Sequence, residues 1–114
     1  MNMRTAWLVL VVALLLLANC AAATRCMIFV EDEYKMTINN ADIYLDDWSH
    51  LLGTTSYNTA IGRNCWVGNI PEGQHVLYAK WAGVPRSRPS HEGSASVNLE
   101  GRSPQRITIV THRV

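Results

Sequence analysis

The hydrophobic pattern changes character once, near residue 24. Before that point, a start carrying a single cation, Arg4, leads into an unbroken apolar run over residues 6–18. After Asn19-Cys20 come the small residues Ala21, Ala22 and Ala23. A cation, an apolar stretch and a small-residue end together form the layout of a secretory signal peptide. Beyond residue 24, no stretch repeats apolar residues at helical spacing. Short segments instead alternate or concentrate β-branched and aromatic residues, which predicts strands.

The first predicted strand, 26–31, runs through Met27, Ile28, Phe29 and Val30, and a second covers 34–38 before a turn at Asn39-Asn40. Segment 41–46 alternates, with Ala41, Ile43 and Leu45 on one face and Asp42, Tyr44 and Asp46 on the other; Asp46-Asp47 signals its end. Residues 51–56 return as a short strand, and 64–68 form another around Cys65, Trp66 and Val67. Pro71-Glu72-Gly73 predicts a tight turn, because proline pre-sets the first corner and glycine permits positive φ. The strand over 74–81 carries apolar residues on both faces, as a central strand does. Residues 83–93, with two prolines, two serines and two arginines, read as the longest loop. Strands 94–99 and 105–112 close the chain. The expectation is an all-β fold: a single small β-sandwich of about seven strands over 24–114, after an N-terminal signal helix over 1–23.

Two cuts of the leader are open. Ala21-Ala22-Ala23 suits an ordinary signal peptidase and leaves Thr24 first. Leu17-Ala18-Asn19-Cys20 is similar to the lipoprotein box, in which the cysteine is acylated and anchors the chain; Asn19 stands where Gly or Ala is usual. Either cut implies an extracytoplasmic place: secreted, or held in the periplasm or at the outer membrane as a lipoprotein through Cys20.

Three segments taken together resemble the PEGA domain pattern: Asn40-Ala41-Asp42-Ile43-Tyr44-Leu45-Asp46, Leu52-Gly53-Thr54-Thr55, and Ile70-Pro71-Glu72-Gly73-Gln74-His75-Val76-Leu77. The resemblance covers about residues 41–83. Asp47 stands where that family has glycine, Ser56 where it has proline, and the pair Cys26 and Cys65 is not part of its pattern. The resemblance implies a small prealbumin-like β-sandwich of exported envelope proteins and lipoproteins that acts as a non-catalytic binding or surface module.

Charge narrows the partners. The chain has 10 Lys and Arg against 9 Asp and Glu, so removal of Arg4 with the leader leaves 10 − 1 = 9 against 9. Phosphate-backbone binding calls for a basic excess, so nucleic acid is not an expected partner. In an oxidising compartment Cys26 and Cys65 are expected to form a disulfide, closing a loop of roughly 40 residues and stabilising the fold by about 3–4 kcal/mol.

Candidate chemistry is sparse. Glu31-Asp32-Glu33 reads as a solvated turn, and Asp46-Asp47 with His50 is a candidate metal or acid–base cluster at a hairpin tip. His75 shares a face with Leu77 and Trp81 and reads as a half-buried structural histidine. No nucleophile elbow, phosphate loop or helical histidine pair is present, and no cofactor, metal or enzymatic activity is expected. Trp48 on its turn, with His50, and the cations Arg86 and Arg88 in the loop are the candidate binding residues. The expected function is a non-enzymatic exported module that binds an envelope protein or polysaccharide partner. The alternative is a disulfide-braced secreted effector or inhibitor presenting the loop 83–93.

Overall fold

The computed structural model describes residues 22–84, 89–101 and 104–114. Eight strands follow one another: β1 (Ala23–Glu31), β2 (Asp42–Leu45), β3 (Leu51–Thr54), β4 (Ser56–Asn58), β5 (Arg63–Pro71), β6 (Gly73–Trp81), β7 (His91–Leu99) and β8 (Gln105–Arg113). They hydrogen-bond in the order β3-β2-β6-β7-β8-β1-β5-β4. All pairs are antiparallel except β1 with β8. The all-β expectation holds, with one more strand than anticipated and all eight in a single sheet. Of the signal helix expected over 1–23, residues 1–21 lie outside the described residues, and with them the lipidation candidate Cys20; Ala23 already belongs to β1.

The sheet is nearly closed because its two end strands are consecutive in the chain. A single residue, Thr55, separates β3 from β4, so the segment expected as one strand over 51–56 pairs with β2 at one end and β5 at the other. Thr55 is wholly buried. Its Oγ1 donates to the Ile38 carbonyl at 2.7 Å and accepts the Ala41 N–H at 2.9 Å, so the bend carries no orphaned hydroxyl. Trp66 bridges the same seam: its indole covers Gly53 of β3 and Gly68 of its own strand, where any side chain would run into the ring. On the opposite side β7 and β8 pair only over His91–Arg113, Glu92–His112 and Gly93–Thr111. A side chain on Gly93 would meet the Val110 carbonyl oxygen, so only glycine admits this approach.

Alternation along the strands fills the interior. Cys26, Ile28 and Val30 of β1 meet Ile43 and Leu45 of β2, Leu77 and Ala79 of β6, and Ile107 and Ile109 of β8 in one buried cluster. Strand β6 reads as the central strand expected, paired on both sides with β2 and β7.

Four expectations change. Residues 34–38 form a turn with one bridge, Glu31 to Thr37. The cause is Asp32, whose Oδ1 accepts the N–H groups of Tyr34 and Met36 at 2.8 and 3.0 Å, while Lys35 adopts a φ of 63°; such side-chain capture of backbone donors competes with a ladder. Strand β7 begins at His91, so the loop expected over 83–93 is shorter. Strand β1 starts at Ala23, opposite Pro71, before the expected first residue 26.

The fourth change concerns the expected Cys26–Cys65 disulfide, which is absent: both thiols are free and buried. Register gives the reason. Cys26 lies opposite Gly68 and Ile28 opposite Trp66, so Cys26 points inward with Ile28, whereas Cys65, next to Trp66, points to the other face. Burial pushes both thiols above their usual pKa; at Cys65 the cations Arg63 and Arg106 oppose that rise. They behave as small apolar side chains.

Candidate functional site

The outer face of β2, β6 and β7 is a grid fixed by register. Tyr44 lies opposite Tyr78, and Tyr78 opposite Ser94; the next row sets Val76 beside Ser96, and the row beyond sets Gln74 beside Asn98. Successive outward positions on a strand are about 6.6–6.8 Å apart, so the rows extend roughly 14 Å from the tyrosines. The turn after β2 folds Trp48 back over this grid. Its ring centroid sits 5.2 Å from Tyr44 and 4.9 Å from Tyr78, at tilts of 57° and 36°. The tyrosines support one side of the indole, and Trp48 remains 46% exposed. Such tilted aromatic contacts hold a ring in place without hiding it.

The turn carrying Trp48 is fastened at its root. Asp46, at φ 64°, exchanges main-chain contact with Val76, donating its N–H to the Val76 carbonyl at 2.7 Å. Its Oδ1 accepts the Val76 N–H at 3.0 Å, and its Oδ2 lies 2.9 Å from His75 Nδ1. His75 Nε2 in turn faces the Pro71 carbonyl oxygen at 2.8 Å. Both ring nitrogens therefore face acceptors, and the protonated imidazole satisfies both. Burial alone would lower the His75 pKa, but the hydrogen bonds to Asp46 and Pro71 outweigh it and raise the value above the usual range. The hydrogen bonds from His75 and the Val76 N–H hold the Asp46 carboxyl below the ordinary carboxylate range. Across the turn, Asp47 Oδ1 accepts the Ser49 N–H at 2.8 Å and its hydroxyl, and these bonds lower its pKa too.

A shallow groove continues from the foot of this turn, floored by Gln74, Val76, Ser96 and Asn98 and closed at one side by Asp46 and His75. Gln74, Ser96 and Asn98 are exposed. Their amides and hydroxyl are neutral donors and acceptors.

The sequence-based candidates are thus divided. Trp48 is the centre of the arrangement. His50 is exposed on the same turn, where its carbonyl accepts the Leu45 N–H at 2.9 Å. The Asp46 carboxylate pairs with His75 and that of Asp47 with Ser49, and no group of three or more His, Cys, Asp or Glu side chains placed to hold a metal occurs among the described residues. Arg86 and Arg88 lie outside the described residues. Sequence reading missed Tyr44 and Tyr78 as supports and the Asp46–His75 clasp. The outward position of Tyr44 was visible in the alternation of its strand; the clasp required the pairing of β2 with β6.

The opposite end of the molecule holds a second concavity of about 850 Å³, lined in part by Tyr34, Met36, Trp81 and Val84. Here His91 Nε2 lies 2.8 Å from Glu33 Oε2 and Nδ1 lies 3.0 Å from the Pro89 carbonyl oxygen, which ties the β1–β2 loop to the start of β7. The backbone N–H of Glu33 itself, followed by His91 and Arg113, lowers the Glu33 pKa against the opposing effect of burial. Comparison with protein-family models, with curated proteins and with solved structures gives no match to this chain.

Proposed function

We infer that the chain is a non-enzymatic exported binding module that holds a partner protein or a surface polymer against the outer face of β2, β6 and β7. The observation that carries this reading is Trp48: a large aromatic supported from beneath by Tyr44 and Tyr78 and left open to solvent beside a polar groove. Apolar side chains that are held in place yet uncovered are what binding surfaces are made of. We read the single, nearly closed sheet as a PEGA-like sandwich with β3-β2-β6-β7 as one layer and β8-β1-β5-β4 as the other; the three-residue contact of β7 with β8, the turn at Pro71-Glu72-Gly73 heading β6 and the outward Tyr44 support that reading.

The lipoprotein route to the envelope, with acylation of Cys20, has one support in the fold. The Ala22 carbonyl accepts the Glu72 N–H at 2.8 Å and Ala23 pairs with Pro71, so a cut before Cys20 keeps contacts that a cut after Ala23 removes. Mass spectrometry of the mature N-terminus tests this, with a diacylglycerol thioether on Cys20 expected and a free Thr24 contradicting it. For the binding role, the test is retention of the purified module on immobilised envelope polysaccharide and on envelope protein fractions. Retention by at least one fraction, lost in Trp48→Ala, is expected; retention by neither contradicts the reading.

A further inference from the structure

We propose that the Trp48 face and the adjoining groove form a site for a neutral carbohydrate chain, one sugar ring lying on the open side of the indole and the next rings lying along Gln74, Ser96 and Asn98. This rests on the binding-module reading and names its ligand.

The aromatic part supplies a flat apolar surface that is fixed before binding. Sugars present C–H groups on one ring face, which pack on an aromatic plane and bury apolar area there. Because Tyr44 and Tyr78 already hold Trp48, little rotamer freedom is lost when a ring docks, and preorganisation of this kind raises affinity. Adjacent on the same outer face, Ser94 and Ser96 of β7 are short and exposed, leaving room for a chain above the sheet.

The polar part argues for a neutral ligand. The charges of this face have partners within it: Asp46 with His75 and the Val76 N–H, Lys80 with Glu92 at 3.6 Å, and Asp42 accepting the neutral Thr54 hydroxyl at 2.8 Å. Among the described residues the only charges lining the groove are Asp46 and His75, which already pair with each other, so an anionic or cationic ligand would compete with that pair; the other exposed groups are the Gln74 and Asn98 amides and the Ser96 hydroxyl. Asn98 is oriented by donating to Glu100 Oε1 at 3.0 Å, and its carbonyl oxygen, which accepts no bond among the described residues, can accept from a ligand hydroxyl. The Asp46 oxygens, each with one bond, retain lone pairs toward the same space. Paired hydroxyls that both donate and accept suit this set of groups. The row spacing of about 7 Å lets one chain span the indole and the two rows beyond it.

The test is a glycan array carrying neutral, acidic and amino-sugar chains, probed with the purified module and its variants and followed by titration with the best-retained neutral oligosaccharide. Circular dichroism confirms that each variant is folded. Binding to neutral chains is expected, about tenfold or more weaker in Trp48→Ala, where the stacking plane is gone. Trp48→Phe, which keeps an aromatic plane, should recover most of that loss. Gln74→Ala combined with Asn98→Ala should weaken binding by about fivefold through lost hydrogen bonds. Preference for acidic chains, absence of binding to every glycan, or neutral binding that Trp48→Ala leaves unchanged would each overturn the inference. If a protein fraction or an anionic polymer binds through Trp48 instead, the binding-module reading stands and the carbohydrate inference alone falls; if nothing binds, both fall.

Discussion

The two outer faces of the sheet each carry a large aromatic side chain, and their fates differ. On the face of β1, β5 and β8, Phe29 is 1% exposed, because the guanidinium of Arg63 lies 4.5 Å and that of Arg106 5.2 Å from its ring centroid. Arg63 is itself held by Glu31 at 2.9 Å, and Cys65 is buried on the same face. On the face of β2, β6 and β7, Trp48 is supported by two tyrosines and no cation of the described residues lies over its ring. An outward aromatic is therefore not in itself a site. What distinguishes the two is whether long cationic stems close over the ring, giving a satellite core, or leave it open to solvent, as the proposed contact surface requires.

The contrast can be broken most severely at Phe29. Phe29→Ala leaves a cavity under the two arginines and is expected to destabilise the fold by about 3–5 kcal/mol in urea unfolding, while the folded fraction keeps its binding. A loss below about 1 kcal/mol would mean that the covered face is not a core. Next comes the seam between the faces: Gly93→Ala forces β7 from the Val110 carbonyl, with an expected cost of about 1–3 kcal/mol and weakened protection of the amides near Thr111 in hydrogen exchange. Removing the cover itself, with Arg63→Ala and Arg106→Ala together, should cost about 1 kcal/mol and convert Phe29 into an exposed aromatic, read as new binding of a hydrophobic dye.

A smaller effect concerns the root of the Trp48 turn. His75 has a raised folded pKa, so its contribution to stability is complete below its unfolded value of about 6.5 and is lost as pH rises through the folded value. Asp46 has a lowered folded pKa, so its contribution is present above the unfolded value of about 3.9 and is lost as pH falls through the folded one. The wild-type urea midpoint should fall on the alkaline side of pH 6.5, and His75→Gln should lack that component. Parallel profiles for the two proteins would remove the clasp from the account.

Much of the fold was legible in the sequence because alternation survives wherever a strand has one face on the core. The stretch around Leu77 and Ala79 and the stretch around Ile107 and Ile109 announce themselves in this way. Residues 34–38 did not, since Asp32 captures backbone donors that a strand would have paired. The free cysteines were misread for a different reason: composition says that two thiols can meet, while only register says which face each occupies. The site was half visible. A tryptophan on a predicted turn marks Trp48 from sequence alone, but its tyrosine supports and the Asp46–His75 clasp arise from the pairing of β2 with β6, which lie far apart in the chain.

The most direct measurement compares the dissociation constant of the wild-type module with that of Trp48→Ala, on the surface polymer it retains, under conditions where both have the same urea midpoint. A loss of about tenfold or more is expected, with a change in stability of no more than about 0.5 kcal/mol. Equal affinities at equal stability would contradict it, and would place Trp48 with Phe29 as a packing residue.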